Sequence, residues 1–116
     1  MNRSDNNSKP IQVDYASFGS EVLQSTEPVL VVFSALWSRP CAILEPVLDE
    51  IASECSDELK VARVNADGNL DLSWCYDVRF IPTLLYFVSG NVRARIVGTA
   101  TKEAILSKLE SIRKAS

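Results

Sequence analysis

Two hydrophobic periods alternate along the chain, and the places where one gives way to the other outline its elements. A short strand at 11–13 leads into a helix from about 15 to 25, with Phe18, Val22 and Leu23 at helical spacing. The run PVLVVF at 28–33 has no polar alternation and is rich in β-branched residues, the pattern of a strand buried on both faces. A helical period follows from about 41 to 56, placing Ile43, Leu44, Val47, Leu48 and Ile51 inward. Pro46 falls inside it, removes one backbone donor and predicts a kink.

LKVARVNA at 59–66 alternates as another central strand, and a short helix is expected at about 69–76. PTLLYFV at 82–88 and NVRARIV at 91–97 are strands joined through Ser89-Gly90, a connection short enough to make them an antiparallel hairpin. A last amphipathic helix, from about 102 to 113, turns Ile105, Leu106, Leu109 and Ile112 inward. The order β-α-β-α-β-α-β-β-α predicts an α/β fold: a central mixed sheet, parallel units first and a hairpin last, with helices on both faces. Neither a repeat nor a linker divides the chain. Residues 1–10 read as a flexible tail and 11–116 as a single domain.

Composition narrows the function classes. Of the 116 residues 47% are apolar, enough for a core, and the net charge of −3 gives no electrostatic footprint for nucleic acid. The longest strictly apolar run, 29–33, is too short to cross a bilayer. The polar start MNRSDNNSKP has no apolar centre of a secretory signal, and three irregularly spaced cysteines suit a reducing compartment, so the expectation is a cytoplasmic protein. The chain has no histidine, which removes Ser-His and Cys-His catalysis. A zinc site would need Cys41, Cys55 and Cys75 plus a carboxylate at unfamiliar spacing, so no metal and no cofactor are expected.

The chemistry concentrates at Trp37-Ser38-Arg39-Pro40-Cys41, between a buried strand and a helix. With PVLDEIA at 46–52, RFIPTLLYF at 79–87 and IVGTATKEAI at 96–105, this stretch closely resembles the thioredoxin family, in order and over about 15–109. The resemblance implies the thioredoxin fold and a role in protein thiol–disulfide handling. It makes Pro82 the cis-proline and Gly98 the turn glycine. It also implies a protein-binding groove formed by Trp37, Arg39, Pro40, Ile81, Pro82, Thr83, Val97 and Gly98, which takes protein substrates or partners. A monomer with no nucleic-acid or membrane partner is expected.

The family's attacking cysteine, first in Cys-Gly-Pro-Cys, is Ser38 here, and Cys41 stands at the resolving position. A hydroxyl cannot exchange with a disulfide, so the dithiol cycle is expected to be lost or strongly reduced. Ser38 is expected instead to cap the helix, and Cys41 to be shielded. Three further departures surround the motif. Val32 stands at the family's buried aspartate, Arg63 at the neighbouring lysine and Ser34 at its second tryptophan. Cys55 lies 14 residues beyond Cys41 along one helix. That is about 21 Å, so the two cannot bridge. Cys75 reads as an incidental thiol. Two alternatives stay open: a non-catalytic binding or assembly module on the same fold, and an ordinary thioredoxin whose cysteine at 38 has been engineered to serine.

Overall fold

The computed structural model describes residues 8–115, so most of the expected tail at 1–10 lies outside the described residues. The elements are β1 (Ile11–Val13), α1 (Tyr15–Phe18) running into a π-helical turn (Gly19–Leu23), β2 (Val29–Ser34), α2 (Arg39–Glu54), β3 (Lys60–Asn65), α3 (Leu70–Cys75), β4 (Thr83–Val88), β5 (Asn91–Val97) and α4 (Lys102–Ala115). One sheet has the order β1-β3-β2-β4-β5. The β1/β3 and β2/β3 pairs are parallel, and β2/β4 and β4/β5 antiparallel. This is the mixed α/β sheet of the thioredoxin fold.

β2 is fully buried over Val29–Phe33, and its alternate side chains feed two separate cores. Leu30 and Val32 join Leu44, Leu48 and Ile51 of α2 and Ile105 and Leu109 of α4. Val29, Val31 and Phe33 join Phe18 and Val22 of the first helix and Leu72 of α3. A strand sandwiched between helices has no solvated face to mark with polar residues, which is why its sequence is continuously apolar.

Two expected inward residues face outward. Ile43 is 60% exposed, because the buried stripe of α2 runs through Cys41, Leu44, Leu48 and Ile51 and Ile43 lies about 100° off it. Leu23 is 40% exposed. The expected helix to Ser25 is instead a single α-turn, capped by Asp14 accepting from Ser17 N–H, then a π-turn. The wider winding brings Val22 back beneath Phe18 and leaves Leu23 on the rim. α2 starts at Arg39, two residues earlier than the apolar period suggested, and runs through Pro46 as one element.

The hairpin between β4 and β5 turns through Ser89 at φ 52° and Gly90 at φ 81°, the pair of positive dihedrals that a two-residue connection of matching twist demands. A Cβ on Gly90 would stand 2.9 Å from the Leu23 carbonyl oxygen, so this position also lacks the space for any side chain.

Candidate functional site

The C-terminal end of β2 leads into the loop that carries Trp37 and Ser38. Ser38 has an extended backbone (φ −88°, ψ 120°), and its Oγ accepts from the backbone N–H of Cys41 at 3.4 Å. It is therefore the N-cap of α2, as the sequence suggests, and Pro40 sits in the first turn where a missing N–H costs nothing. Both side chains are enclosed: Ser38 is 5% and Cys41 4% exposed. Arg39 and Pro40 are exposed. The free thiol of Cys41 thus lies inside the first turn, beneath the surface its neighbours present.

The second part of the site comes from the other side of the sheet's centre. Thr83 pairs with Phe33 of β2 on one side and with Val97 of β5 on the other. The Ile81–Pro82 peptide is cis, and the backbone N–H of Gly98 donates to the Pro82 carbonyl at 2.8 Å. Gly98 has φ 90°, a dihedral open to glycine at little cost. Pro82 and Thr83 are buried and Ile81 half-buried, whereas Val97 is exposed. Thr83 Oγ1 donates to the Phe80 carbonyl at 2.5 Å, fixing the turn that precedes β4.

The sequence-expected residues therefore form two tied groups, Ser38 with Cys41 and Pro82, Thr83, Val97 with Gly98. Trp37 is held elsewhere, its indole N–H donating to Asp67 Oδ2 at 2.5 Å while the ring stays 71% exposed. Asp67 lies 30 residues from Trp37, and no local pattern marks it as a partner. Phe80 was also missed. It is 69% exposed immediately before Ile81, and the aromatic inside RFIP was the available signal.

Charge beneath the site is arranged by a tertiary pair. Val32 is wholly buried and registers with Arg63 across β2/β3. Arg63 Nη1 is bonded to Glu45 Oε1 of α2, and Arg63 Nε is buried with no partner. Among the described residues, no group of three or more His, Cys, Asp and Glu side chains is placed to hold a metal. Nor is any helix among them long and apolar enough to cross a membrane.

The remaining cysteines are free and distant in chemistry. Cys75 is exposed, on α3. Cys55 caps the C-terminus of α2. Burial, with the Glu58 and Glu54 carboxylates adding to it, pushes the Cys55 thiol above its usual titration range.

The thioredoxin family model matches residues 9–111, which contain all of this geometry. The chain belongs to the thioredoxin family. It is 43% identical over 105 residues to a thioredoxin of Mycobacterium tuberculosis, covering 90% of each chain. It is 43% identical over 101 residues to one of Pseudomonas aeruginosa, covering 87% of this chain and 94% of the relative. Against a thioredoxin of Acidithiobacillus ferridurans the identity is 44% over 95 residues, 82% of this chain and 88% of the relative. At the level of the thioredoxin family the function is redox chemistry.

Proposed function

We propose that this protein handles protein thiols and disulfides through the cis-proline groove, with the conventional dithiol reductase cycle lost or strongly reduced. The observation that carries the reading is the pair Ser38 and Cys41: a hydroxyl spent on capping α2, and a thiol enclosed behind it. In disulfide reduction a thiolate attacks one sulfur of the substrate, that S–S bond breaks, and the other sulfur leaves as thiolate. A second thiol then attacks the mixed disulfide and releases the reduced substrate. This chain offers no sulfur at 38 for the first step. Attack by Cys41 would end at a mixed disulfide, which an external thiol would have to resolve.

What remains usable is the surface. Phe80 and Val97 are exposed and line one surface with Thr83, beside a backbone edge fixed by Pro82 and Gly98, an arrangement suited to an extended segment of a protein partner. That observation favours the second reading, a binding or assembly module that works without exchange. In either reading the protein acts as a cytoplasmic monomer.

The deciding experiment is thiol-driven reduction of insulin by the chain and by Ser38→Cys. The wild-type chain should show no turnover above the background of the small thiol, and Ser38→Cys should gain it. Turnover close to that of a dithiol thioredoxin, surviving Cys41→Ala, overturns the reading.

A further inference from the structure

Two arginines meet at the end of α3, beside the cis-proline groove. α3 closes with the Val78 N–H donating to the Ser73 carbonyl at 2.8 Å and the Asp77 N–H to the Trp74 carbonyl at 3.2 Å, the paired bonds of a Schellman end. Asp77 takes the left-handed position at φ 55°, where glycine is the less strained residue. Its side chain has a use there: Asp77 Oδ1 accepts from Arg79 Nε at 2.8 Å. From β5, Arg95 Nη2 donates to the Tyr76 carbonyl at 2.6 Å, and Nη1 to the Asp77 carbonyl at 3.4 Å. Both guanidinium groups are therefore tied to one residue, Arg79 to its carboxylate and Arg95 to its backbone.

The charges here do not balance. Asp77, Arg79, Phe80, Thr83, Arg95 and Val97 line one surface, and of these two are cationic and one is anionic. Among the described residues Arg95 meets carbonyl oxygens and no carboxylate. A guanidinium has five N–H donors. Arg95 uses two of them on this chain and Arg79 one, so both keep donors for a further acceptor. Apolar surface adjoins them. Arg95 and Val97 stand two apart on β5 and share its face, and Phe80 and Val97 are both exposed. Thr83 links that pair, being in register with Val97 and bonded to the Phe80 carbonyl.

We propose that this surface selects protein segments in which a carboxylate stands beside an apolar side chain. The carboxylate balances the arginine pair, in the forked geometry that guanidinium favours, and the apolar side chain covers Phe80 and Val97. The chain as a whole carries −3, so the attraction is local and sensitive to salt. The inference rests on the groove as a binding surface and not on thiol exchange, since the segment needs no cysteine.

Backbone amide NMR of the full chain, titrated with capped peptides, tests this. The peptides are acetyl-Gly-Val-Glu-Leu-Val-Gly-amide and the counterparts with Gln or Lys in place of Glu. Saturable shifts at Phe80, Thr83, Val97 and Gly98 are expected. At about 0.01 M salt the Glu peptide should bind at least about fivefold tighter than the Gln peptide, equivalent to about 1 kcal/mol. The Lys peptide should be weaker than both. At about 1 M salt, where charges act over only about 3 Å, the preference should largely vanish. Arg79→Gln changes an exposed side chain and should lower the preference, and adding Arg95→Gln should remove it. Phe80→Ala should weaken all the peptides alike and keep their order. Equal binding of the Glu and Gln peptides at low salt, or a preference that Arg79→Gln leaves intact, overturns the proposal while the groove reading stands. No shift with any peptide overturns both.

Discussion

The Cys41 backbone N–H donates to the Ser38 hydroxyl at 3.4 Å, so Ser38 serves the helix that carries the enclosed Cys41 thiol. The bond is long for N–H···O, which sets its worth at the lower end for a cap. Ser38→Ala is expected to lower the free energy of unfolding by about 0.5–1 kcal/mol. Urea denaturation checks this, with an unchanged m-value showing that compactness is unaffected. A loss below the error of the measurement would mean the hydroxyl does not cap α2 in solution.

The three cysteines should separate by access. Cys75 is exposed, Cys55 is half-buried with its thiol pushed up by burial and by Glu58 and Glu54, and Cys41 is enclosed. Alkylation requires thiolate that the reagent can reach. Brief iodoacetamide treatment near neutral pH should label Cys75 first, Cys55 later and Cys41 last. Peptide mass spectrometry ranks them. Fastest labelling at Cys41, at a rate flat down to pH 6, would identify an activated thiol and favour single-thiol redox chemistry over a shielded residue.

The two glycines with positive φ predict different costs. At Gly98, with φ 90°, an added Cβ meets nothing within 4 Å, so Gly98→Ala carries backbone strain alone, about 1–2 kcal/mol. At Gly90, with φ 81°, the same Cβ lands 2.9 Å from the Leu23 carbonyl oxygen, a backbone atom that cannot swing away. Gly90→Ala should cost clearly more, at least about 2 kcal/mol, as strain and overlap add. Thermal denaturation of the two variants tests the order. Equal losses would show that the hairpin moves away from Leu23.

The sequence made the central elements readable for a physical reason. Buried strands such as 29–33 must be apolar throughout, and a two-residue connection such as Ser89-Gly90 allows one hairpin geometry. The cap at Ser38 was readable because it depends on neighbours in the chain. Helix phase was less secure. Ile43 and Leu23 are apolar residues beside a buried stripe, and side-chain type alone does not say on which side of its edge they fall. Long-range pairs left no local trace: Trp37 with Asp67, and Glu45 with Arg63, meet only because β2, β3 and α2 pack together.

Alkaline pH should destabilise the protein before it affects a comparable chain without buried acids. Burial raises Cys55 above its reference value of 9.0 and Tyr76 and Tyr86 above 10.0. Each stays neutral in the folded state at a pH where the unfolded chain already ionises. The unfolded state then binds fewer protons than the native state, and stability falls as pH rises. The contribution is fully present below the unfolded values, so the decline should begin near pH 9 with Cys55 and steepen above pH 10 with the tyrosines. Tyr86, buried on β4 beside α4, is the position to change. Tyr86→Phe removes its hydroxyl and should flatten the slope above pH 10 in urea midpoints measured from pH 8 to 11. An unchanged slope would assign the alkaline loss to the other groups.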